Sequence, residues 1–326
     1  MTIVSNLLKT GTLIVFAASP AMAEKWDMPM AYSASNFHSV TGAAFAECVT
    51  ENTGGDIEIV THPSGSLFPG AQIKRAIQTG QVQIGERLMS AHQNDNPLYG
   101  LDSIPFLASS FDASDTLWGV AKPAIEKALS EENLTLLYTV PWPPQGMFFA
   151  TEVTSAAEMK GMKFRSFNNM TTRLAELTEM LPVTIEAAEL SQALATGVAN
   201  AMVTSSATGY DQKVWESLDY YYTVDAWLPR NYIMVNSDTW EGVSDENKEV
   251  ILTCASTAEE NGLQAAKDYT EFTIEGLREG GMNVEPGSDK LLSDLQDIGV
   301  TLTNEWLENA GEEGTAIVEE FRKAQK

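Results

Sequence analysis

Hydrophobic and polar positions along the chain alternate between the period of a strand and the period of a helix. Ile57-Glu58-Ile59-Val60 has a period of two, which predicts a strand. A helix is predicted over 37–53, where Gly54-Gly55 ends it. The remaining pattern predicts strands at 26–32, 82–84, 134–140, 147–151 and 199–203 and helices at 71–79 and 114–130. This alternation is typical of the α/β class, with parallel sheets flanked by helices and ligands beyond the carboxyl ends of strands.

A short turn occurs twice in similar surroundings. Thr79-Gly80 and Thr196-Gly197 each follow a predicted helix and lead into a strand. The glycine of each turn can adopt the positive φ that often ends a helix. Because both copies follow a strand and a helix, the repeat predicts two similar α/β lobes with a cleft between them.

The last quarter of the chain has a different character. Residues 245–280 carry a long helical pattern with a charged face, and residues 304–325 form a second amphipathic pattern. Long helices near a chain end are expected to pack across the lobes and brace them.

The first 23 residues are predicted to be a signal peptide rather than part of the fold. Lys9 is their only charge, a short apolar core runs over 13–18, and Ala21-Met22-Ala23 has the small-x-small pattern of a cleavage site. The alternative, a membrane anchor, needs an apolar run of about 20 residues. We therefore expect cleavage after Ala23 and an exported mature protein.

Charge and composition exclude several classes of protein. The 326 residues are 44% hydrophobic, with 45 acidic and 20 basic side chains and a formal net charge of -25. Such a charge repels nucleic acids and anionic membranes, so no nucleic-acid partner is expected. The length suggests two domains. The acidity is interpreted as a property of an exported surface.

Cysteine and histidine residues predict neither a metal site nor a cofactor. His38, His62 and His92 are scattered, and no close Cys/His spacing suggests zinc. Cys48 and Cys254 lie 206 positions apart, and either a disulfide or two buried free thiols is compatible with export.

The chain has no common enzyme motif, which favours binding over catalysis. Trp142 and Gln145 flank two prolines after a predicted strand, and Arg165 ends another, where its guanidinium could hold a carboxylate with two hydrogen bonds. From the residues alone, a surface ion pair is the favoured interpretation of Arg165. Ser205 offers a hydroxyl beyond a strand, while Trp227 could stack on a ligand or fill the core.

Several segments, in this order and spacing, resemble a known family over nearly the whole chain after residue 23. They are Gly65-Ser66-Leu67, Asp102-Ser103-Ile104-Pro105-Phe106-Leu107, Gly161-x-Lys163-x-Arg165, Ala193-Leu194-x-Thr196-Gly197, and Asn236 before Trp240. The sequence resembles the periplasmic substrate-binding proteins of TRAP (tripartite ATP-independent periplasmic) transporters, of the DctP type.

The resemblance implies a two-lobed periplasmic-binding-protein fold of the α/β class, with a ligand cleft between the lobes and a long bracing helix. Lobe 1 would comprise 24–147 plus about 234–280, and lobe 2 would comprise 148–233 plus about 281–326. Arg165 would be the carboxylate clamp. The other residues expected to bind ligand are Trp142, Gln145, Phe149, Asn168, Ser205, Trp227, Asn231, Phe37 and Glu86.

The resemblance also implies a function, a monomeric solute receptor that delivers its ligand to TRAP permease subunits. Dicarboxylate binders of this type carry a second Arg where this chain has Met147-Phe148-Phe149, so we expect a small organic monocarboxylate, aliphatic or aromatic. If Glu86 and Asp225 face the cleft, a zwitterionic or amine compatible solute such as an ectoine is the alternative. A secreted enzyme that uses cleft carboxylates, and a sensor for a membrane signalling partner, are alternatives from other classes.

Overall fold

The computed structural model describes residues 23–325. The predicted signal peptide therefore lies outside the described residues, apart from Ala23. The strands are β1 (Glu24–Pro29), β2 (Ile57–His62), β3 (Ile84–Leu88), β4 (Leu134–Pro141), β5 (Gln145–Phe149), β6 (Lys163–Ser166), β7 (Leu181–Thr184), β8 (Ala201–Ser205), β9 (Tyr220–Tyr222), β10 (Arg230–Asn236) and β11 (Asn283–Glu285). The helices are α1 (Phe37–Asn52), α2 (Gly70–Gln78), α3 (Phe111–Glu131), α4 (Asn169–Leu177), α5 (Leu190–Ala195), α6 (Ser206–Asp211), α7 (Ser237–Gly242), α8 (Asp245–Glu279) and α9 (Asp289–Ala324).

The strands form three sheets. β1 and β2 form a parallel pair, β3-β10-β4 form a three-stranded sheet, and β11-β9-β5-β8-β6-β7 form a six-stranded sheet. The α/β class is confirmed, but the expectation of parallel sheets is wrong in part. β10 is antiparallel to β3 and β4, and β5 is antiparallel to β8 and β9. The reason is that β4 leads out of the first lobe while β10 leads back into it, so the two run in opposite directions.

The chain passes three times between the two larger sheets. β5 already belongs to the six-stranded sheet, and β10 already belongs to the three-stranded sheet, so two short crossings fall within 142–144 and 223–229. The third crossing runs through α7 and α8, which lead from β10 to β11 in the six-stranded sheet. The predicted lobe boundaries near 147 and 233 lie a few residues from the two short crossings and remain a prediction.

Strand β3 is longer than its pattern indicated. The predicted strand covered 82–84, whereas β3 runs from Ile84 to Leu88 and pairs with β10 along its length. The charges of Glu86 and Arg87 hid the strand, because charged side chains are unusual in a buried strand. Successive side chains of a strand point to opposite faces, so Glu86 and Arg87 lie on different sides of the sheet.

The repeated turn has the expected geometry. Gly80 follows α2 with φ 68° and leads towards β3, and Gly197 follows α5 with φ 70° and leads towards β8. Each lobe therefore contains one copy of the same helix-turn-strand unit.

Two long helices brace the lobes. α8 has 35 residues and contacts α1 and β4 on one side and α6 and β11 on the other, as predicted. α9 begins at Asp289, earlier than predicted. It is kinked at Gly311, whose φ and ψ angles are not helical. It contacts α3 of the first lobe and α4 of the second. No helix among residues 23–325 is both long enough and apolar enough to cross a membrane.

A disulfide joins α1 to α8. The Cα atoms of Cys48 and Cys254 are 5.9 Å apart and their sulfurs are bonded. Of the two alternatives for these cysteines, free thiols are therefore wrong. A disulfide is compatible with an exported protein.

Candidate functional site

A cavity of about 440 Å³ lies between the two larger sheets. Both lobes contribute to its wall, since Arg87 belongs to the three-stranded sheet and Arg165 to the six-stranded sheet. The lining residues are Tyr32, Arg87, Leu88, Ala91, Trp142, Gln145, Arg165, Phe167, Glu186, Ala187, Thr204, Ser205, Thr208 and Pro229. Two arginines and one glutamate are the charged members, so the lining carries a formal charge of one positive unit.

Arg165 is a buried cation without an anionic partner. Its side chain is 3% exposed, its Nε donates to the carbonyl oxygen of Ile185 at 2.9 Å, and its guanidinium lies 5.1 Å from the ring centre of Phe167. Among residues 23–325, no carboxylate lies within ion-pair distance of it. Burial lowers the pKa of Arg165 to about 10, so the group stays charged at neutral pH. A buried charge without a partner is unfavourable, so this wall strongly prefers an anion.

Arg87 is a second buried guanidinium of the cavity, and sequence reasoning missed it. It is 4% exposed, and its two terminal nitrogens lie 3.4 and 3.5 Å from the carboxylate oxygens of Glu186. Its Nε donates to Nε2 of His92 at 3.2 Å. The available signal was strand alternation, because a strand with Glu86 facing one way presents Arg87 on the other side.

Trp142 is held in the cavity wall by a chain of hydrogen bonds. Its indole Nε1 donates to Oδ1 of Asn231 at 2.8 Å, and Nδ2 of Asn231 donates to Oε1 of Glu86 at 2.8 Å. The ring of Tyr32 meets the indole edge-on at 4.8 Å. Asn231 and Glu86 therefore stand behind the wall and orient it.

Glu86 is sealed on the far side of that wall. It is 1% exposed, and burial raises its pKa to about 7. His38 approaches its Oε1 at 3.4 Å, but burial lowers the pKa of His38 well below its usual range, so the imidazole is neutral. Within residues 23–325, Glu86 has no cationic partner to stabilise its ionised form.

Gln145 offers the cavity a hydrogen-bond acceptor. Its side chain is 2% exposed, and its Nε2 donates to the carbonyl oxygen of Pro143 at 2.9 Å. Because a carbonyl oxygen only accepts, the amide orientation is defined, and Oε1 is the atom left for a ligand. Hydroxyl groups come from Thr204, Ser205 and Thr208 at the junction of β8 and α6.

The residues predicted to bind ligand fall into three groups. Arg165, Trp142, Gln145 and Ser205 line the cavity. Asn231, Glu86 and Phe37 lie behind Trp142, with the ring of Phe37 at 5.4 Å from the indole. Asn168, Phe149 and Trp227 do not line the cavity.

The three residues that do not line the cavity contact other parts of the protein instead. Asn168 caps α4 and donates to Ser90 at 3.0 Å. Phe149, in β5, and Trp227, in the crossing segment before β10, are fully buried in the hydrophobic core. Asp225, considered for an amino group, is exposed and outside the lining. Which lining residues touch ligand remains a prediction.

The part of the chain that the structure describes holds no group of three or more His, Cys, Asp or Glu side chains placed to bind a metal ion. The chemistry of the cavity is therefore that of a cationic, hydrogen-bonding pocket with aromatic walls. Such a pocket suits a small organic anion.

Comparisons with known proteins agree with this geometry. The model of the family DctP, bacterial extracellular solute-binding protein family 7, matches residues 30–309. A marine metagenome TRAP solute-binding protein, described as specific for pyroglutamate and solved with pyroglutamate, is 49% identical with a TM-score of 0.91, over 93% of this chain and 99% of that chain.

Two further relatives extend the comparison. DctP6 of Bordetella pertussis, described as an extracytoplasmic solute receptor binding pyroglutamic acid, is 37% identical with a TM-score of 0.90, over 92% of this chain and 99% of that chain. A monocarboxylate 2-oxoacid-binding periplasmic protein of Nostoc sp. is 25% identical, over 91% of this chain and 82% of that protein. This chain therefore belongs to the DctP family of bacterial extracellular solute-binding proteins, the solute receptors of TRAP transporters.

Proposed function

We propose that this protein is a periplasmic receptor for pyroglutamate, which it delivers to a TRAP permease. Pyroglutamate is a five-membered lactam with one carboxylate. The observation that carries the proposal is the buried, unpaired guanidinium of Arg165 in a cavity whose charged side chains sum to one positive unit. A single carboxylate neutralises that charge, whereas a neutral solute leaves the cation uncompensated.

The polar atoms of the cavity complement the ring of this ligand. With the carboxylate on Arg165, the lactam N–H has an acceptor in Oε1 of Gln145, and the lactam carbonyl can accept from a hydroxyl such as that of Thr204. The flat ring then packs against the indole of Trp142. Two relatives at 49% and 37% identity that bind pyroglutamate support the same assignment.

The alternatives have less support. An ectoine-like solute needs an acidic side chain free to meet its positive charge, but Glu86 lies behind the wall, Asp225 lies outside it, and Glu186 is paired with Arg87. An enzyme that uses two cleft carboxylates is disfavoured as well, because Glu186 is the only acidic side chain of residues 23–325 in the lining. Members of this family are solute-binding proteins, so we expect no turnover.

Export and assembly are also part of the proposal. Relatives of this chain are periplasmic proteins, and the signal peptide predicted at residues 1–23 would direct this one to the same compartment. TRAP solute receptors work with TRAP permeases, and we expect this receptor to act as a monomer.

A set of matched ligands tests the proposal by calorimetry and thermal unfolding. Pyroglutamate should bind, and at about 100 times its Kd it should add about 2.7 kcal/mol to the free energy of unfolding. Cyclopentanecarboxylate keeps ring and carboxylate but lacks the lactam, proline replaces the lactam by an ammonium, and 2-pyrrolidone lacks the carboxylate. Each should bind more weakly, 2-pyrrolidone most of all. Equal binding of 2-pyrrolidone, or no binding of pyroglutamate, would contradict the proposal.

A further inference from the structure

We propose that Glu186 determines which solute charge the cavity accepts. It neutralises Arg87 across the cleft and thereby restricts the site to singly charged carboxylates. The inference rests on the proposed function, in that it takes a carboxylate on Arg165 as given.

The pair forms between the two lobes. Arg87 projects from β3, and Glu186 directly precedes a short 3-10 helix, Ala187–Glu189, in the other lobe. Both side chains line the cavity, and their ionised groups lie 3.4 to 3.5 Å apart. The Arg87 side chain is 5% exposed, while that of Glu186 is 37% exposed, so Glu186 stands at the mouth.

The neighbouring backbone leaves room for this pair. A Cβ atom at Gly70, the first residue of α2, would lie 2.8 Å from Nη1 of Arg87 and 2.9 Å from a carboxylate oxygen of Glu186. A side chain at position 70 would therefore displace the ends of these two flexible side chains, whereas glycine leaves their contact undisturbed.

The Arg87–Glu186 pair sets the net charge that a ligand meets in the cavity. With Glu186 ionised and paired with Arg87, Arg165 forms no ion pair within residues 23–325 and feels the charge of Glu186 only at longer range, so a monocarboxylate completes the balance. A dicarboxylate would bring a second negative charge next to Glu186, with Arg87 already engaged. Removing the charge of Glu186 while keeping its shape would release Arg87 to hold a second carboxylate.

Four proteins separate charge from shape in a test. They are the wild type, Glu186→Gln, Arg87→Gln and the double variant, whose linings carry one, two, zero and one positive unit. The ligands are pyroglutamate and glutarate, a dicarboxylate with the same number of carbons, and calorimetry gives both Kd values. We expect Glu186→Gln to shift the ratio of the two affinities towards glutarate by about tenfold or more, and the double variant to return the ratio to near that of the wild type.

Glu189→Gln is the matched control. It removes the same charge three residues away, from an exposed side chain outside the cavity, and should leave the ratio unchanged. An unchanged ratio in Glu186→Gln, or an equal change in Glu189→Gln, overturns the inference. If Arg87→Gln fails to fold, the comparison of Glu186→Gln with Glu189→Gln still decides it. Failure of the wild type to bind pyroglutamate overturns the proposed function with it, whereas wild-type binding with an unchanged ratio overturns this inference alone.

Discussion

Arg165 and Arg230 occupy similar environments but differ in what neutralises them. Both are 3% exposed and both lie in strands beside an aromatic ring. A terminal nitrogen of Arg230 forms an ion pair with Asp115, and its guanidinium also donates hydrogen bonds to the hydroxyls of Ser114 and Thr139 at 3.3 Å. In the described part of the chain, Arg165 donates one hydrogen bond, to a backbone carbonyl oxygen, and pairs with no carboxylate.

This difference shows how a ligand site is distinguished from a structural ion pair. Burial is common to both arginines, so burial does not identify the site. A buried arginine that faces a cavity and has no carboxylate partner does identify the site, because the ligand then supplies the negative charge. Arg87 is intermediate, since its partner comes from the opposite lobe at a longer distance.

The largest expected effect is on ligand affinity in Arg165→Met. Methionine retains much of the aliphatic packing and removes the charge, so the affinity for pyroglutamate should fall by about 10³-fold, or roughly 4 kcal/mol. The stability of the ligand-free protein should be unchanged or higher, because an uncompensated buried charge is removed. Calorimetry and urea unfolding measure the two effects. Retained affinity would show that another group holds the carboxylate.

Glu86 is a buried acidic side chain that, unlike Arg165, does not face the cavity. Its raised pKa, about 7 against an ordinary 4.5, means that the folded state binds its proton more tightly than the unfolded state does. The corresponding stability is present below pH 4.5 and is lost as the pH rises to about 7. Glu86→Gln removes this pH-dependent loss, so the stability of the variant relative to the wild type should rise by about 2.5 kcal/mol from pH 5 to pH 8.

Urea unfolding of both proteins at those two pH values tests the Glu86 prediction. Asp102, whose pKa burial also raises to about 7, is common to both and cancels in the difference. A difference in stability that does not vary with pH would mean that Glu86 is ionised throughout. Glu86 would then carry its negative charge in the buried site, which contradicts the expectation that a proton neutralises it there.

Arg230→Met should affect stability rather than binding. Loss of its hydrogen bonds should lower the free energy of unfolding by about 2 kcal/mol. Asp115 is partly exposed, and water can solvate it once the partner is gone. The affinity for pyroglutamate should stay close to that of the wild type. If Arg230→Met reduced affinity as much as Arg165→Met, the distinction between the two arginines would be wrong.

The smallest expected effect is that of Trp142→Phe. Phenylalanine keeps an aromatic wall but loses the N–H donated to Asn231, so about 1 kcal/mol of stability should be lost. Affinity for pyroglutamate should fall only severalfold, because the carboxylate contact remains. Calorimetry of this variant beside Arg165→Met ranks the aromatic wall against the cation. Equal losses in the two would contradict that ranking.

Much of the fold was predictable because periodicity and caps are local features. The helices α1, α2 and α8 and the two Thr-Gly turns follow from apolar spacing and glycine positions. Whether neighbouring strands run parallel or antiparallel was not predictable in the same way, since it depends on where the chain crosses between the lobes. The start of α9 was missed although a local signal was present, since Pro286-Gly287 directly precede its N-cap, Ser288.

The site was predictable only as far as its residues lie at strand ends. Arg165, Trp142, Gln145 and Ser205 follow that rule. Arg87 did not, because it lies within a strand that its own charge disguised, and Glu186 did not, because its partner is 99 residues away. Trp227 shows the converse, because the sequence places it just before a strand but the structure buries it in the core. Contacts between lobes depend on closure of the whole chain, which local pattern does not encode.

A crystal structure of this protein grown with L-pyroglutamate tests the central claim most directly. The account predicts ligand in the cavity between the lobes, with its carboxylate oxygens within about 3 Å of the terminal nitrogens of Arg165. It also predicts that the Arg87–Glu186 pair remains intact beside the ligand. A carboxylate bound by Arg87 instead, with Arg165 left without an anion, would contradict the account.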